Sequence, residues 1–525
     1  VDERLTSDGR VRRALDDGEL ERLVGRLEEG GYEAVAVCLL HAYADSRHEE
    51  RIYAALEEEF GGEVHLSASS DVVGEFREYE RASTTCVNAY VAPAMARYLR
   101  RLSGRVEADD IQVLQSSGGR VDIEHASQYP VHTVLSGPAG GVVGARAAAR
   151  EAGIDRLISF DMGGTSTDVS LCDGEVEIAA QAEIDGLPIR APVIDIHTVG
   201  AGGGSIAHVD PGGVLRVGPE SAGADPGPAC YAKGGTRPTV TDAHVVLGRL
   251  RPGQFLGGRM SLERERAQAA VGELADELEL GLEEAAHGIL DVADGEMTRA
   301  LKVISLERGY DPRDFCLVSF GGAGGLHACR LARALDMGRV LVPRNPGLLS
   351  AYGMLHADFQ RIVSRTLLSP LQETMSQQER LRSLLESMRE SAIGDLADEM
   401  AGEAGAFELS WEAQLRYEGQ SFEIDVPVDW SPAGGGFSDP TAAFEREHER
   451  LYGYRAEGRA VELVGLRLIA SRPGPQPGDY RQAAAGESTA ERGRTTAPVG
   501  FADGEREASI LDRRSLEAGE TFEGP

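Results

Sequence analysis

Leu157-Ile158-Ser159-Phe160-Asp161-Met162-Gly163-Gly164-Thr165-Ser166-Thr167-Asp168-Val169-Ser170-Leu171 decides how this chain is read. Two apolar runs flank a tip of glycines and hydroxyls, which predicts strand, tight turn, strand: a β-hairpin. Gly163 and Gly164 permit φ > 0 and let backbone N–H groups approach a ligand with no Cβ in the way. Thr165 and Thr167 add hydroxyl donors, and Asp161 and Asp168 bracket the turn with carboxylates. Backbone donors, hydroxyls and carboxylates together suit a magnesium-bound polyphosphate, because Mg²⁺ takes oxygen ligands and substrate phosphates. An ordinary Gly-Thr turn beside an acidic surface is the other reading of the same residues.

Composition narrows the function classes. A chain of 525 residues, 42% hydrophobic, is long enough for two to four domains with sizeable cores. It has no stretch of 18 apolar residues, so no membrane span is expected. No signal peptide is expected from the charged start, Val1-Asp2-Glu3-Arg4-Leu5, which has no apolar run. Six scattered cysteines without a CxxC pair read as reduced thiols of a cytoplasmic protein, with Cys230 and Cys329 packing rather than reacting. A net charge of −33 argues against nucleic-acid binding. The two lysines are Lys233, followed by Gly, and Lys302, followed by Val. Neither completes a Walker A loop, so a phosphate site must use backbone amides, helix N-termini, Arg and Mg²⁺.

The pattern is α/β through residue 372 and turns β-rich after a helix at about 376–400. Expected helices lie near 17–29, 46–60, 78–103, 142–152, 261–278, 283–307 and 326–335. Expected strands include 34–40, read as fully buried, 64–67, 111–115, 315–320, 406–417 and 461–471. Residues 472–498, rich in Pro, Gly and charge, read as a linker or loop. The domain boundaries expected from this are 1–85, 86–372 and 373–525.

Three more glycine-rich turns accompany the hairpin: Ser136-Gly137-Pro138-Ala139-Gly140-Gly141, Gly200 to Ser205, and Phe320-Gly321-Gly322-Ala323-Gly324-Gly325. Gly200 to Ser205 lacks the GxGxxG spacing of a dinucleotide site. The last follows a buried strand and opens a helix, which suits a base and ribose above the backbone, or simply a tight β–α turn. In this order, with about 160 residues between hairpin and last turn, the motifs resemble the ATPase architecture of actin, Hsp70 and sugar kinases. There, RNase H-like domains each carry a phosphate hairpin. Longer motifs narrow the resemblance: Leu135 to Gly141, Asp161 to Val169, Asp195-Ile196-His197-Thr198-Val199-Gly200-Ala201-Gly202-Gly203-Gly204-Ser205, Gly223 to Tyr231, Pro238-Thr239-Val240-Thr241-Asp242-Ala243, and Phe320 to Ala328. With these the whole chain resembles the hydantoinase A / 5-oxoprolinase family, which includes ketone carboxylase subunits.

The resemblance implies actin-like ATPase domains with a C-terminal β-rich domain, ATP and Mg²⁺ as cofactors, and ATP-driven hydrolysis of a cyclic amide. It also implies a separate hydantoinase B-type partner subunit within an oligomer. Asp161 and Asp168 would be catalytic. Ser136, Gly137, Gly163, Gly164, Thr165, Thr167, Gly321, Gly322, Gly324 and His327 would contact the nucleotide, although His327 could equally hydrogen-bond locally. Asp161, Asp195, His197 and Asp242 are candidate metal ligands; Asp195/His197 and Asp242/His244 read either as a metal or substrate cluster or as structural pairs. The family's first hairpin, DxGGTFTD, does not occur here, and the pattern reads as a fragment cut at both ends. A chain complete as given would lack half of the phosphate clamp, which speaks against ATP turnover by it alone. His244 stands where the family reads Asn, Gly325 where it reads Pro, and Asp294 to Met297 where an Asn-rich stretch is common. A ketone carboxylase subunit, a non-catalytic actin-like nucleotide switch and an inactive remnant are the alternatives.

Overall fold

The computed structural model describes residues 1–108, 111–399, 407–432, 436–456, 458–473, 495–513, 516 and 518–524. Most of the expected linker at 472–498, and the start of the strand expected at 406, lie outside these residues. The chain forms two compact units. Unit 1 is Val1–Val143, Glu177–Asp195 and Met354–Pro475; unit 2 is Gly144–Val176, Ile196–Gly353 and Gln476–Pro525.

Unit 2 is organised by the expected hairpin. Its strands are β1 (Arg156–Met162) and β2 (Thr167–Asp173), joined by β3 (His197–Val199), β4 (Cys316–Phe320) and β5 (Val340–Leu341). The order across the sheet is β3-β2-β1-β4-β5, with Glu175–Val176 also pairing β2. β1, β2 and β3 are antiparallel, whereas β4 runs parallel to β1 and β5 parallel to β4. Three antiparallel strands followed by two parallel ones in this order is the RNase H-like arrangement, so the actin-like ATPase topology expected from the motifs is present.

Alternation along β1 gives the sheet two characters. Ile158, Phe160 and Met162 face one side with Val169 and Leu171 and are buried in the main core of unit 2. The helix Leu282–Ile304 (α3 below) covers that core with Ala285, Ile289, Met297, Leu301 and Ile304. Each fully buried Ile, Leu or Met of this kind contributes about 1.5–3 kcal/mol. The opposite side becomes polar toward the tip: Leu157 pairs with Cys172, Ser159 with Ser170, and Asp161 with Asp168.

Small residues serve close packing elsewhere. Helix α1 (Ser136–Glu151) starts six residues before the helix expected at 142. A Cβ on its Gly144 would stand 2.4 Å from the Leu349 carbonyl oxygen, so glycine allows the approach. Helix α2 (Val240–Val246) is buried throughout and begins with a capping box. Thr239 and Asp242 each hydrogen-bond the other's backbone N–H. Helices α3 (Leu282–Ile304) and α4 (Ala328–Ala334) complete the elements that frame the site.

Unit 1 carries the β-rich part. Its six-stranded sheet runs Ile424–Val428, Glu408–Tyr417, Val461–Arg472, Phe359–Pro370, Arg120–Asp122, Gln112–Leu114. Helix Gln378–Glu399 lays Leu381, Leu385, Met388, Ala392 and Leu396 on it, at the spacing of one helical face. The fully buried strand expected at 34–40 is shorter: Ala34–Val37, with only Val37 buried. The Leu39 N–H turns instead to the Glu49 carboxylate at 2.7 Å, and His41 takes φ = 63°, which ends the extended run. Helix Glu78–Ser103 has the bounds expected from the sequence. Among the described residues no helix is long and apolar enough to cross a membrane.

Candidate functional site: a bare hairpin tip beside two carboxylates

The β1–β2 hairpin places Asp161 directly opposite Asp168. Cross-strand pairing puts both carboxylates on the polar side of the sheet. Burial pushes the Asp161 carboxyl up to about 6, and the Asp168 charge adds to the rise. Asp168 is raised as well, by burial, while a 2.6 Å hydrogen bond from the Thr198 hydroxyl partly offsets it. Thr198 pairs with Asp168 across β3, so its neighbour His197 lies on the opposite side of the strand, opposite Val169.

The tip, residues 163–166, is closed by the Gly163 N–H donating to the Ser166 carbonyl at 3.1 Å. Neither Gly163 nor Gly164 has a positive φ, so the turn does not need glycine for its backbone angles, contrary to expectation. Nor does packing need it: a Cβ on Gly164 would meet nothing within 4 Å, and one on Gly163 only the Ser166 carbonyl at 3.9 Å. The N–H groups of Gly164, Thr165 and Ser166 and the Thr165 hydroxyl donate to no acceptor among the described residues. Thr167 differs: its hydroxyl is buried and donates to the Ala201 carbonyl at 2.5 Å, so it braces the hairpin instead of facing outward.

Two other glycine-rich turns hold the hairpin from behind. The N–H groups of Gly203 and Gly204 donate to the carbonyls of Gly163 and Gly164 at 3.0 and 2.6 Å. A Cβ on Gly202 would lie 2.7 Å from the backbone of Gly164 and Thr165. At the end of β4, Gly321 takes φ = 80°. A Cβ there would lie 2.3 Å from Asp161 Oδ1 and 2.4 Å from the Met162 carbonyl oxygen. Ala323 then donates its N–H to that same Met162 carbonyl at 3.0 Å. Gly322 is exposed and Gly324 buried against Ser319 and Phe160.

The other expected ligands are used differently. The Asp242 carboxylate is fully buried and accepts from the N–H groups of Ala229, Cys230 and Thr239 and the Thr239 hydroxyl, at 2.7–3.2 Å. Because 240–246 is a helix, residues two apart point in widely different directions, which separates Asp242 from His244. Among the described residues no group of three or more His, Cys, Asp or Glu side chains is placed to hold a metal ion. Asp195, whose N–H donates to the Glu177 carbonyl, belongs to unit 1, as do Ser136 and Gly137 at the start of α1. His327 is buried, with Nδ1 2.5 Å from Asp294 Oδ1 and Nε2 3.0 Å from His244 Nε2. Arg330 Nε stands 2.8 Å from Asp294 Oδ2. Cys230 is buried, and burial together with the Asp242 charge pushes its thiol up; Cys329 is exposed.

Sequence reasoning missed Thr198, the bracing roles of Gly202 and Gly321, and the His244–His327–Asp294 chain. Only the density of Gly and His in those motifs could have signalled them. It also missed a polar cavity of about 350 Å³ within unit 1, lined among others by His125, Tyr129, His132, Arg190 and Arg361. Burial holds His125 at about 3 and His132 at about 4, both neutral, and raises Tyr129 to about 12.

Comparison with known proteins assigns the chain. The family model Hydantoinase/oxoprolinase matches residues 81–363, and Hydantoinase/oxoprolinase N-terminal region matches residues 1–60. Caprolactamase subunit alpha of Pseudomonas jessenii is 33% identical over 531 residues, covering 99% of this chain and 76% of that one. 5-Oxoprolinase 1 of Arabidopsis thaliana is 35% identical over 499 residues, 87% of this chain but 37% of that longer one. The crystal structure of the ATP-dependent caprolactamase from Pseudomonas jessenii superposes with TM-score 0.86 at 32% identity, covering 97% of this chain and 75% of that one. The nucleotide-free structure of acetone carboxylase superposes with TM-score 0.70 at 26% identity, covering 98% and 75%. The chain belongs to the hydantoinase/oxoprolinase family.

Proposed function

We propose that this member of the hydantoinase/oxoprolinase family supplies the ATP site of a cyclic-amide hydrolase. One observation carries the reading: three consecutive backbone N–H groups at 164–166 have no acceptor among the described residues and lie beside the facing carboxylates Asp161 and Asp168. Such a run of amides with the Thr165 hydroxyl attracts the oxygens of a polyphosphate. Glycine at 163 and 164, which neither φ nor packing requires, leaves the backbone approachable. Like charges crowded at Asp161 and Asp168 are what a divalent cation relieves, so these two residues would hold Mg²⁺, which would neutralise phosphate charge. The names of caprolactamase and 5-oxoprolinase relatives support a lactam as the second substrate.

An amide carbonyl is a poor electrophile. Transfer of the terminal phosphoryl group to its oxygen turns that oxygen into a leaving group, after which water can attack the carbon. In this reading the tip amides orient the phosphates, and Gly321 and Gly202 keep Asp161 and the tip in place. Positioning and electrostatics are most of phosphoryl-transfer catalysis. A relative named as an alpha subunit supports a second, B-type subunit as partner.

The likeness to acetone carboxylase favours a second reading, in which the same site activates a ketone and bicarbonate. ATP turnover measured with the partner subunit, against 5-oxoproline, caprolactam, hydantoin, and acetone plus bicarbonate, separates them. Stimulation by a lactam is expected; stimulation by ketone and bicarbonate alone would sink the hydrolase reading.

A further inference from the structure

The loops around the hairpin tip form a closed ring of hydrogen bonds. The Gly163 carbonyl accepts from the Gly203 N–H at 3.0 Å. The Gly203 carbonyl in turn accepts from the Thr241 N–H at 2.8 Å and the Thr241 hydroxyl at 2.7 Å. His244 follows one turn later on α2, and its Nε2 meets His327 Nε2 at 3.0 Å. The His327 N–H donates to the Gly324 carbonyl at 3.1 Å, and the Ala323 N–H to the Met162 carbonyl at 3.0 Å, back at the base of the hairpin. In this circuit the two imidazoles are the one hydrogen bond, among the described residues, that joins α2 to the 320–327 turn by side chains alone.

The order of protons follows from the partners. The Asp294 carboxylate only accepts, so His327 Nδ1 carries the proton between them. The Arg330 guanidinium pairs in charge with the other Asp294 oxygen, which is not itself hydrogen-bonded among the described residues, and His327 in that tautomer offers its Nε2 lone pair. His244 Nε2 then donates, and His244 Nδ1 is left bare. That atom is buried and has no hydrogen-bond partner among the described residues. A leucine would serve the packing of α2 without burying an unpartnered nitrogen, so packing does not account for histidine here.

From this we infer that His244 and His327 are positioning residues that lock the three glycine-rich turns, 163–166, 200–205 and 320–325, into one frame for the nucleotide. The inference rests on the nucleotide reading above for its purpose, and on the hydrogen-bond ring for its mechanism. Neither imidazole touches substrate in this account; both act through the loops they join.

The test uses the full chain and the variants His244→Leu, His327→Leu, the double variant and His244→Gln. Hydrogen exchange without ligand reads the lock directly. Each leucine variant is expected to speed exchange at the Gly203, Gly204, Thr241 and Ala323 amides together. Affinity for MgATP, measured per folded molecule, is expected to fall on the order of tenfold. The double variant should be no worse than either single one, because both remove the same link. His244→Gln, which retains an N–H donor, should restore much of both signals. Faster exchange confined to the substituted loop, or additive losses in the double variant, would overturn the inference. A wild-type chain that binds no MgATP would instead remove the nucleotide reading, and the exchange pattern would still decide whether the lock exists.

Discussion

The hairpin edge of unit 2 and the six-stranded sheet of unit 1 solve opposite problems. In and beside the sheet, long side chains fill the interior and pair their charges. Arg467, almost fully buried, reaches Glu412 at 3.0 Å and Asp425 at 2.6 Å. Arg190 lies between Glu75 at 2.6 Å and Glu423 at 3.3 Å, and Trp411 packs edge-on against Trp430. At the hairpin edge, side chains are absent where space matters, and the backbone supplies both structure and free donors. Glycines there are of two kinds. Gly202 and Gly321 are required by their neighbours, whereas Gly163 and Gly164 have open space around them. Packing does not require the second kind, and at the tip it coincides with N–H groups, those of 164–166, that have no acceptor among the described residues, which is why the proposed site is placed there.

The largest expected contrast sets Gly321→Ala against Arg467→Met. The alanine methyl cannot avoid Asp161 and the Met162 carbonyl, so MgATP binding should be lost by two orders of magnitude or more in titration calorimetry. Arg467→Met strands two carboxylates that remain about a quarter exposed. It should cost about 3 kcal/mol in urea unfolding, toward the low end for a broken buried pair, with nucleotide affinity per folded molecule unchanged. A large loss of affinity in Arg467→Met would break the division of labour between the two regions.

Gly164→Ala sharpens the distinction between the two kinds of glycine. Unfolding stability should stay within about 0.5 kcal/mol, as for a surface change, while affinity for MgATP falls about tenfold or more through the lost close approach. Equal affinity with and without the methyl would remove the hairpin tip from the site.

A third expectation concerns pH. The folded Asp161 carboxyl titrates at about 6, above the ordinary 3.8. Between those values the folded state holds a proton that the unfolded state has released. Stability should therefore fall as pH rises from about 4 to about 6, by about 2 kcal/mol given partial solvent access, and level off above. MgATP affinity should rise over the same interval, since the ionised carboxylate binds the cation. Asp161→Asn should flatten the stability slope; an unchanged slope in urea midpoints would contradict the assignment. The smallest effect belongs to Thr198→Val, which removes one hydrogen bond to Asp168. About 1 kcal/mol, or a few-fold in ATP turnover, is expected.

What the sequence made legible was local. The hairpin, the helix Glu78–Ser103 and the turn after β4 are written in short patterns of Gly, Asp and apolar residues, and each emerged where those patterns stood. Pairings between distant segments were not legible. Phe359–Pro370 lies between Arg120–Asp122 and Val461–Arg472, and nothing in Gln360-Arg361-Ile362-Val363-Ser364-Arg365 announces partners about a hundred or more residues away. Site residues divided the same way. The paired carboxylates Asp161 and Asp168 followed from turn geometry. The proposed metal set with Asp195, His197 and Asp242 relied on spacing alone, and a helix cap took Asp242 while strand alternation turned His197 from Asp168. His244 and His327 are 83 residues apart, so only the folded chain reveals their contact.

The alternation of the chain between its two units has a consequence for biogenesis. Each unit is assembled from three separate segments, so the polypeptide passes between them five times. In unit 1, Val461–Arg472 sits between Glu408–Tyr417 and Phe359–Pro370. An interior strand of that sheet is thus made after both of its neighbours. Long-range pairing of this kind folds slowly and leaves sheet edges open meanwhile. Neither unit corresponds to a contiguous stretch that can be translated, excised or transplanted by itself. The two units are interleaved along the sequence, and a nascent chain must wait for Val461–Arg472 before the sheet of unit 1 can close.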